Sequence, residues 1–79
     1  MIGKILKTMR RENNYTQEKL SELTYIGRST LSDYERLKTD INFENIEKIA
    51  EACGYEVVFI NKKDKNKVLT TKNIERKEI

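Results

Sequence analysis

The sequence has no histidine, no proline and a single cysteine, Cys53. A lone cysteine excludes an intrachain disulfide. Without histidine, no soft-ligand cluster of the kind zinc takes can be assembled. Histidine is also the commonest general acid–base, and neither a Gly-rich phosphate loop nor a helix pattern gathering carboxylates around a pocket replaces it. An enzyme is therefore not expected, and no cofactor is called for. Cys53 falls on an apolar helix face, which points to core packing rather than nucleophilic chemistry. No apolar run approaches a membrane span or a signal-peptide core, and the first residues are patterned as a helix. These features predict a soluble, cytoplasmic protein.

Seventy-nine residues make one small domain. A chain this short buries a modest fraction of its surface and is marginal alone. With disulfide and metal removed, oligomerisation is the remaining remedy, so a homodimer is expected. The net charge of +3 is unevenly placed: residues 1–60 carry nine Lys and Arg against ten Asp and Glu, and residues 61–79 carry seven against three. The chain is not a uniformly basic nucleic-acid glue. Positive charge sits locally, at Lys4, Lys7, Arg10 and Arg11 and in the tail.

Ile2, Ile5, Leu6 and Met9 recur at helical spacing and predict a helix over 2–13, ended by Asn13-Asn14. Thr16 is a good N-cap for a second helix over 17–24, with Glu18 at its positive end. Leu20, Leu23 and Thr24 line one side of it. Tyr25-Ile26-Gly27 forms a turn with Ile26 as its buried plug. A third helix spans 28–36. At about 100° per residue, Leu31 and Tyr34 fall on one side of it and Arg28, Ser29, Ser32, Asp33 and Arg36 on the other. Asn42 caps a fourth helix whose buried face is Phe43, Ile46, Ile49, Ala50 and Cys53, and Gly54 ends it. The period then changes. Glu56–Ile60 is β-branched and aromatic, and apolar on both faces. Asp64-Lys65-Asn66 turns the chain, and Lys67–Thr70 returns as a second strand. A hairpin lying across its symmetry mate would cover both faces, which makes Val57, Val58, Phe59 and Ile60 the expected dimer interface. Residues 71–79 read as a short polar helix or a frayed tail.

The stretch Thr16-Gln17-Glu18-Lys19-Leu20, then Ile26-Gly27-Arg28-Ser29-Thr30-Leu31-Ser32, then Tyr34-Glu35-Arg36, then Asn45-Ile46-Glu47-Lys48-Ile49-Ala50-Glu51-Ala52 before Cys53-Gly54, resembles the lambda-repressor-like, Cro/C1-type helix-turn-helix family. The likeness covers residues 2–55. The Gly54–Val58 run and the Lys-rich segment after it look like the C-terminal strand of antitoxin-type members, in which that strand pairs across a dimer. The resemblance implies a mainly α fold of four to five helices: a DNA-binding domain over 1–55 with its helix-turn-helix unit at 16–36, a strand or hairpin dimerisation segment over 56–70, and a polar tail over 71–79. The chain departs from the family at Tyr25, where glycine is usual, at Gly27, where Ser or Thr is usual, at Leu37, where glycine is usual, and near Ile41, where proline is common.

The resemblance also implies that the first turns of the third helix enter the major groove, with Arg28, Ser29, Ser32 and Asp33 reading bases. Their chemistry suits the task. Arg pairs bidentately with guanine, Asp accepts from cytosine N4, and Ser serves either sense. Gln17 begins the second helix, where its side chain and the free amides can hold a phosphate. Thr16, Thr30, Arg36, Lys38, Asn42 and Asn45 are further phosphate candidates, with capping or solvation as their plain alternative. Arg10 and Glu35 match positions that form a structural ion pair in some phage repressors of the family. The expected function is a sequence-specific double-stranded-DNA-binding regulator, a repressor of phage or antitoxin type, acting as a homodimer on a palindromic site. The alternative is a protein-interaction module on the same fold, with a toxin or another protein as its partner.

Overall fold

The apolar repeats of the first half become four helices. The structure, a computed structural model, describes residues 1–71. In order these are α1 (Ile2–Glu12), α2 (Gln17–Thr24), α3 (Arg28–Glu35), α4 (Phe43–Ala52), and two short strands, β1 (Phe59–Ile60) and β2 (Val68–Leu69). Residues 72–79, most of the expected tail, lie outside the described residues. No helix among the described residues is long and apolar enough to cross a membrane.

Leu6 and Met9 of α1 are buried, and Ile2 packs against them from the edge. Ile5 sits at the margin of the same stripe and stays 53% exposed, against expectation. The helix stops one residue short of the expected end. There the Asn13 amide donates to the Met9 carbonyl at 2.9 Å and to the Cys53 carbonyl at 3.0 Å, tying the α1 terminus to the end of α4. Asn14 then takes a left-handed conformation, φ 58°, which short polar side chains tolerate.

In α2, Thr16 Oγ1 accepts from the Lys19 amide at 3.0 Å, satisfying one of the unpaired donors of a helix start. Leu20 and Thr24 are buried, whereas Leu23 is half-exposed. The turn into α3 is closed by Ser21, whose hydroxyl donates to the Ile26 carbonyl at 2.6 Å. Tyr25 occupies the left-handed position of that turn at φ 61°, its ring standing out in solvent. Leu31 and Tyr34 anchor α3. Arg36, expected within the helix, is its cap, and Leu37 follows at φ 59°. So both non-glycine residues at the family's glycine positions adopt the backbone that glycine would supply.

Asn42 caps α4, its Oδ1 accepting from the Asn45 amide at 2.8 Å. Ile49, Ala50 and Cys53 enter the core with Leu20, Ile26 and Leu31. Burial pushes the Cys53 thiol above its ordinary pKa and keeps it protonated. Gly54 ends the helix at φ 83°, the conformation that glycine takes without steric cost. Phe43, expected on the buried face, is 40% exposed, because it reaches away from the core to stack on Phe59 at a ring separation of 6.2 Å.

β1 and β2 pair antiparallel, Phe59 with Leu69 and Ile60 with Val68. Both are shorter than the runs 56–60 and 67–70 expected for them. The connection is held by Asn61, whose Oδ1 accepts from the Lys63 and Asp64 amides at 2.8 and 2.9 Å. Val57 packs against the core, but Val58, Phe59, Ile60, Val68 and Leu69 remain exposed.

Candidate nucleic-acid interface

The third helix divides as its sequence pattern requires. Leu31 and Tyr34 are buried. On the opposite side Arg28, Ser29 and Arg36 are exposed, and Ser32 and Asp33 are half-buried. The four expected base readers therefore share one surface. Two ion pairs organise it. Arg36 Nη2 lies 3.5 Å from Asp33 Oδ1, one turn earlier on the same helix. Arg28 Nη1 lies 3.8 Å from Glu18 Oε2, which reaches across from the first turn of α2. Asp33 is thus turned toward Arg36.

Beside this surface, Arg10, Thr16, Gln17, Glu18 and Arg28 line an open cleft at the start of α2. Arg10, at the edge of the cleft, forms an ion pair that joins α1 to α3. Arg10 Nε donates to Glu35 Oε2 at 2.6 Å and Nη2 donates to Oε1 at 3.0 Å, a two-pronged pairing. The third nitrogen, Nη1, donates to the Tyr15 carbonyl at 2.7 Å, so Arg10 also fixes the chain between α1 and α2. Gln17 Nε2 donates to Glu35 Oε1 at 3.2 Å. The side chains of Arg10 and Glu35 are 12% and 6% exposed. Hydrogen bonding to Glu35 raises the Arg10 pKa. Burial pushes the Glu35 carboxyl up, but the hydrogen bonds from Arg10 and Gln17 together with the charges of Arg10 and Lys7 outweigh it and hold the group below its ordinary value. The pair is ionised at neutral pH and joins three helices.

The remaining phosphate candidates divide by what their side chains already do. Thr16 and Asn42 are helix caps. Asn45 Nδ2 donates to the Tyr34 hydroxyl at 2.8 Å, which satisfies a polar group carried into the core. Gln17 is shared with Glu35. Thr30 is half-buried, and Lys38 is exposed in the loop after α3. Arg28, Thr16 and Gln17 meet at one cleft, while Asn42 and Asn45 belong to the start of α4. One participant was not singled out from the sequence. Glu18 reads there as a first-turn acid that suits the helix dipole, and nothing in the spacing shows that it faces Arg28 ten residues later.

A model described as helix-turn-helix matches residues 6–60. An immunity repressor protein of Bacillus phage phi105 is 34% identical over 56 residues, which make up 71% of this chain and 39% of the phage protein. The chain thus spans well under half the length of that relative. A crystal structure of SinR, the master regulator for biofilm formation, in complex with DNA aligns with a TM-score of 0.65 and 32% identity, covering 70% of this chain and 89% of the SinR chain. The chain belongs to the helix-turn-helix family, in its lambda-repressor-like Cro/C1 type.

Proposed function

We propose that this chain is a sequence-specific double-stranded-DNA-binding transcriptional regulator, a repressor that acts as a homodimer on a palindromic operator. The observation that carries this reading is the disposition of α3. Its apolar side is spent on the core, and its polar side, led by Arg28, stands beside the start of α2. A helix held this way can enter the major groove while the neighbouring helix start meets the phosphate backbone. The likeness to SinR, solved on DNA, supports the same reading. Selection of bound sequences from a random duplex pool tests it. The expected product is a two-fold symmetric site with half-sites about one helical turn apart. Recovery of no shared sequence rejects it.

The homodimer rests on the hairpin. Phe59 is 60% and Ile60 53% exposed, on a two-stranded ladder that is marginal in water unless something packs on it. A second copy, docking its own hairpin symmetrically, would cover the same residues on both chains. Ile60→Glu together with Val68→Glu is expected to halve the mass in solution while the helical content stays. An unchanged mass removes the hairpin from the interface.

The exposed hairpin and the paired arginines of α3 also support a second reading, a protein-interaction module whose partner is a toxin or another protein. Salt dependence separates the two. Phosphate contacts give a steep fall of affinity with salt, and a module that meets only protein shows no affinity for duplex DNA even at low salt.

A further inference from the structure

Two carboxylates stand against two guanidinium groups on the surface assigned above to DNA. Asp33 and Arg36 are neighbours on one helix, as any i, i+3 pair can be. Glu18 and Arg28 are different. They come from separate helices, meet across the turn at 3.8 Å, and both line the cleft at the start of α2. Glu18 belongs at that position independently of Arg28, because the positive end of α2 favours a carboxylate in its first turn. The Arg28 and Glu18 side chains are 68% and 72% exposed, and such a pair contributes little to stability. Its consequence is direction. An ion-pair contact at Nη1 occupies the Nη1–Nη2 side of Arg28 and leaves the Nε–Nη2 edge open, one of the two edges whose paired donors fit guanine O6 and N7. The same carboxylate, placed where phosphates would approach, opposes binding that depends on charge alone.

We propose that Glu18 is a positioning residue that sets sequence selectivity: its carboxylate draws the Nη1 side of Arg28 toward α2, leaves the Nε–Nη2 edge to meet a base, and resists attachment to phosphates where that base is missing. The proposal rests on the DNA-binding reading. It also gives a reason why a domain whose first sixty residues are nearly neutral can be selective. The cationic reader travels with its own counter-charge, and a base acceptor is needed to complement the edge that remains.

The test compares the native chain with Glu18→Gln and Glu18→Ala. Each is titrated against the duplex selected by the native chain, against versions changed at one base pair, and against random-sequence duplex, over about 50 to 300 mM salt. Removing the carboxylate is expected to tighten binding to random duplex by about three- to tenfold and to steepen its salt dependence by up to about one unit. The ratio of selected to random affinity is expected to fall by about tenfold. The loss of preference should be confined to the base position that Arg28→Ala also relaxes. Because Glu18 is exposed, thermal unfolding should confirm that both variants keep the fold. Affinities for selected and random duplex that change by one common factor overturn the proposal while leaving DNA binding intact. A native chain that binds no duplex at low salt overturns the DNA-binding reading and this proposal together.

Discussion

Gly3 of α1 lies against the main chain at the end of α3: a Cβ at position 3 would stand 2.5 Å from the Tyr34 carbonyl oxygen and 3.0 Å from that of Glu35. Leu37 Cδ2 closes the same space at 2.9 Å. Alanine has the better helix propensity, by about 1 kcal/mol. Here the backbone contact opposes that gain, because carbonyl groups within a helix cannot move aside as a flexible side chain would. Gly3→Ala is expected to destabilise by about 1–3 kcal/mol, the usual cost of overpacking. A urea midpoint equal to or above that of the native chain contradicts the close approach of α1 to α3.

The Arg10–Glu35 pair predicts a specific acid dependence. Glu35 titrates below its ordinary value of 4.5 in the folded chain. The unfolded chain therefore binds more protons between the two values, and stability rises with pH across that window. The contribution is complete above about 4.5 and is lost as pH falls through the lower folded value. Glu35→Gln is expected to cost about 2–4 kcal/mol at neutral pH, since it leaves a largely buried guanidinium without its counter-charge. The gap between the two proteins should narrow below about pH 4. Urea unfolding at a series of pH values measures it, and a gap that stays constant down to pH 2 rejects the assignment.

Tyr25 predicts that a stabilising change exists in the turn itself. A left-handed backbone costs an L-residue about 1–2 kcal/mol, and this ring is 95% exposed, so it recovers little by packing. Glycine removes the steric cost and adds about 0.5–1 kcal/mol of chain entropy. Tyr25→Gly should therefore gain up to about 1 kcal/mol, whereas the β-branched Tyr25→Val should lose stability. A thermal midpoint that ranks Val above Gly is the outcome that rules this out.

How far the structure could be read beforehand depends on how local each cause is. Thr16, Asn42 and Gly54 act within one turn of their own positions, so their caps follow from residue type and spacing. The division of α3 into Leu31–Tyr34 and Arg28–Arg36 sides follows from the helical period. Ile5 and Leu23 break the pattern because they lie at the margins of apolar stripes, where the neighbouring helix, not the period, decides what is covered, and Phe43 breaks it by stacking on Phe59 of β1. Gly3 and Glu18 act across helices, and a single sequence carries no measure of that distance. Arg10 and Glu35 were legible only through resemblance to a family, since 25 residues separate them. The two-residue strands show the limit of β-propensity. Glu56–Ile60 has the composition of a longer strand, but the ladder extends only where a partner strand stands opposite it.

Gln17 and Arg28 share one cleft but differ in what they could tell a protein about DNA. Gln17 is pinned through one amide hydrogen to Glu35, so its second amide hydrogen remains to donate to a phosphate. Phosphates are alike in every sequence, and Gln17→Ala should weaken all duplexes by a similar factor, about three- to tenfold, with loss of about 0.5–1.5 kcal/mol of fold stability from the broken hydrogen bond. Arg28 carries an edge suited to one base, and its removal should cost about 1–3 kcal/mol on the selected sequence and far less on random duplex. Quantitative titration of both variants on both duplexes separates the roles. If Arg28→Ala retains the native sequence preference, base reading belongs elsewhere on α3, to Ser29, Ser32 or Asp33.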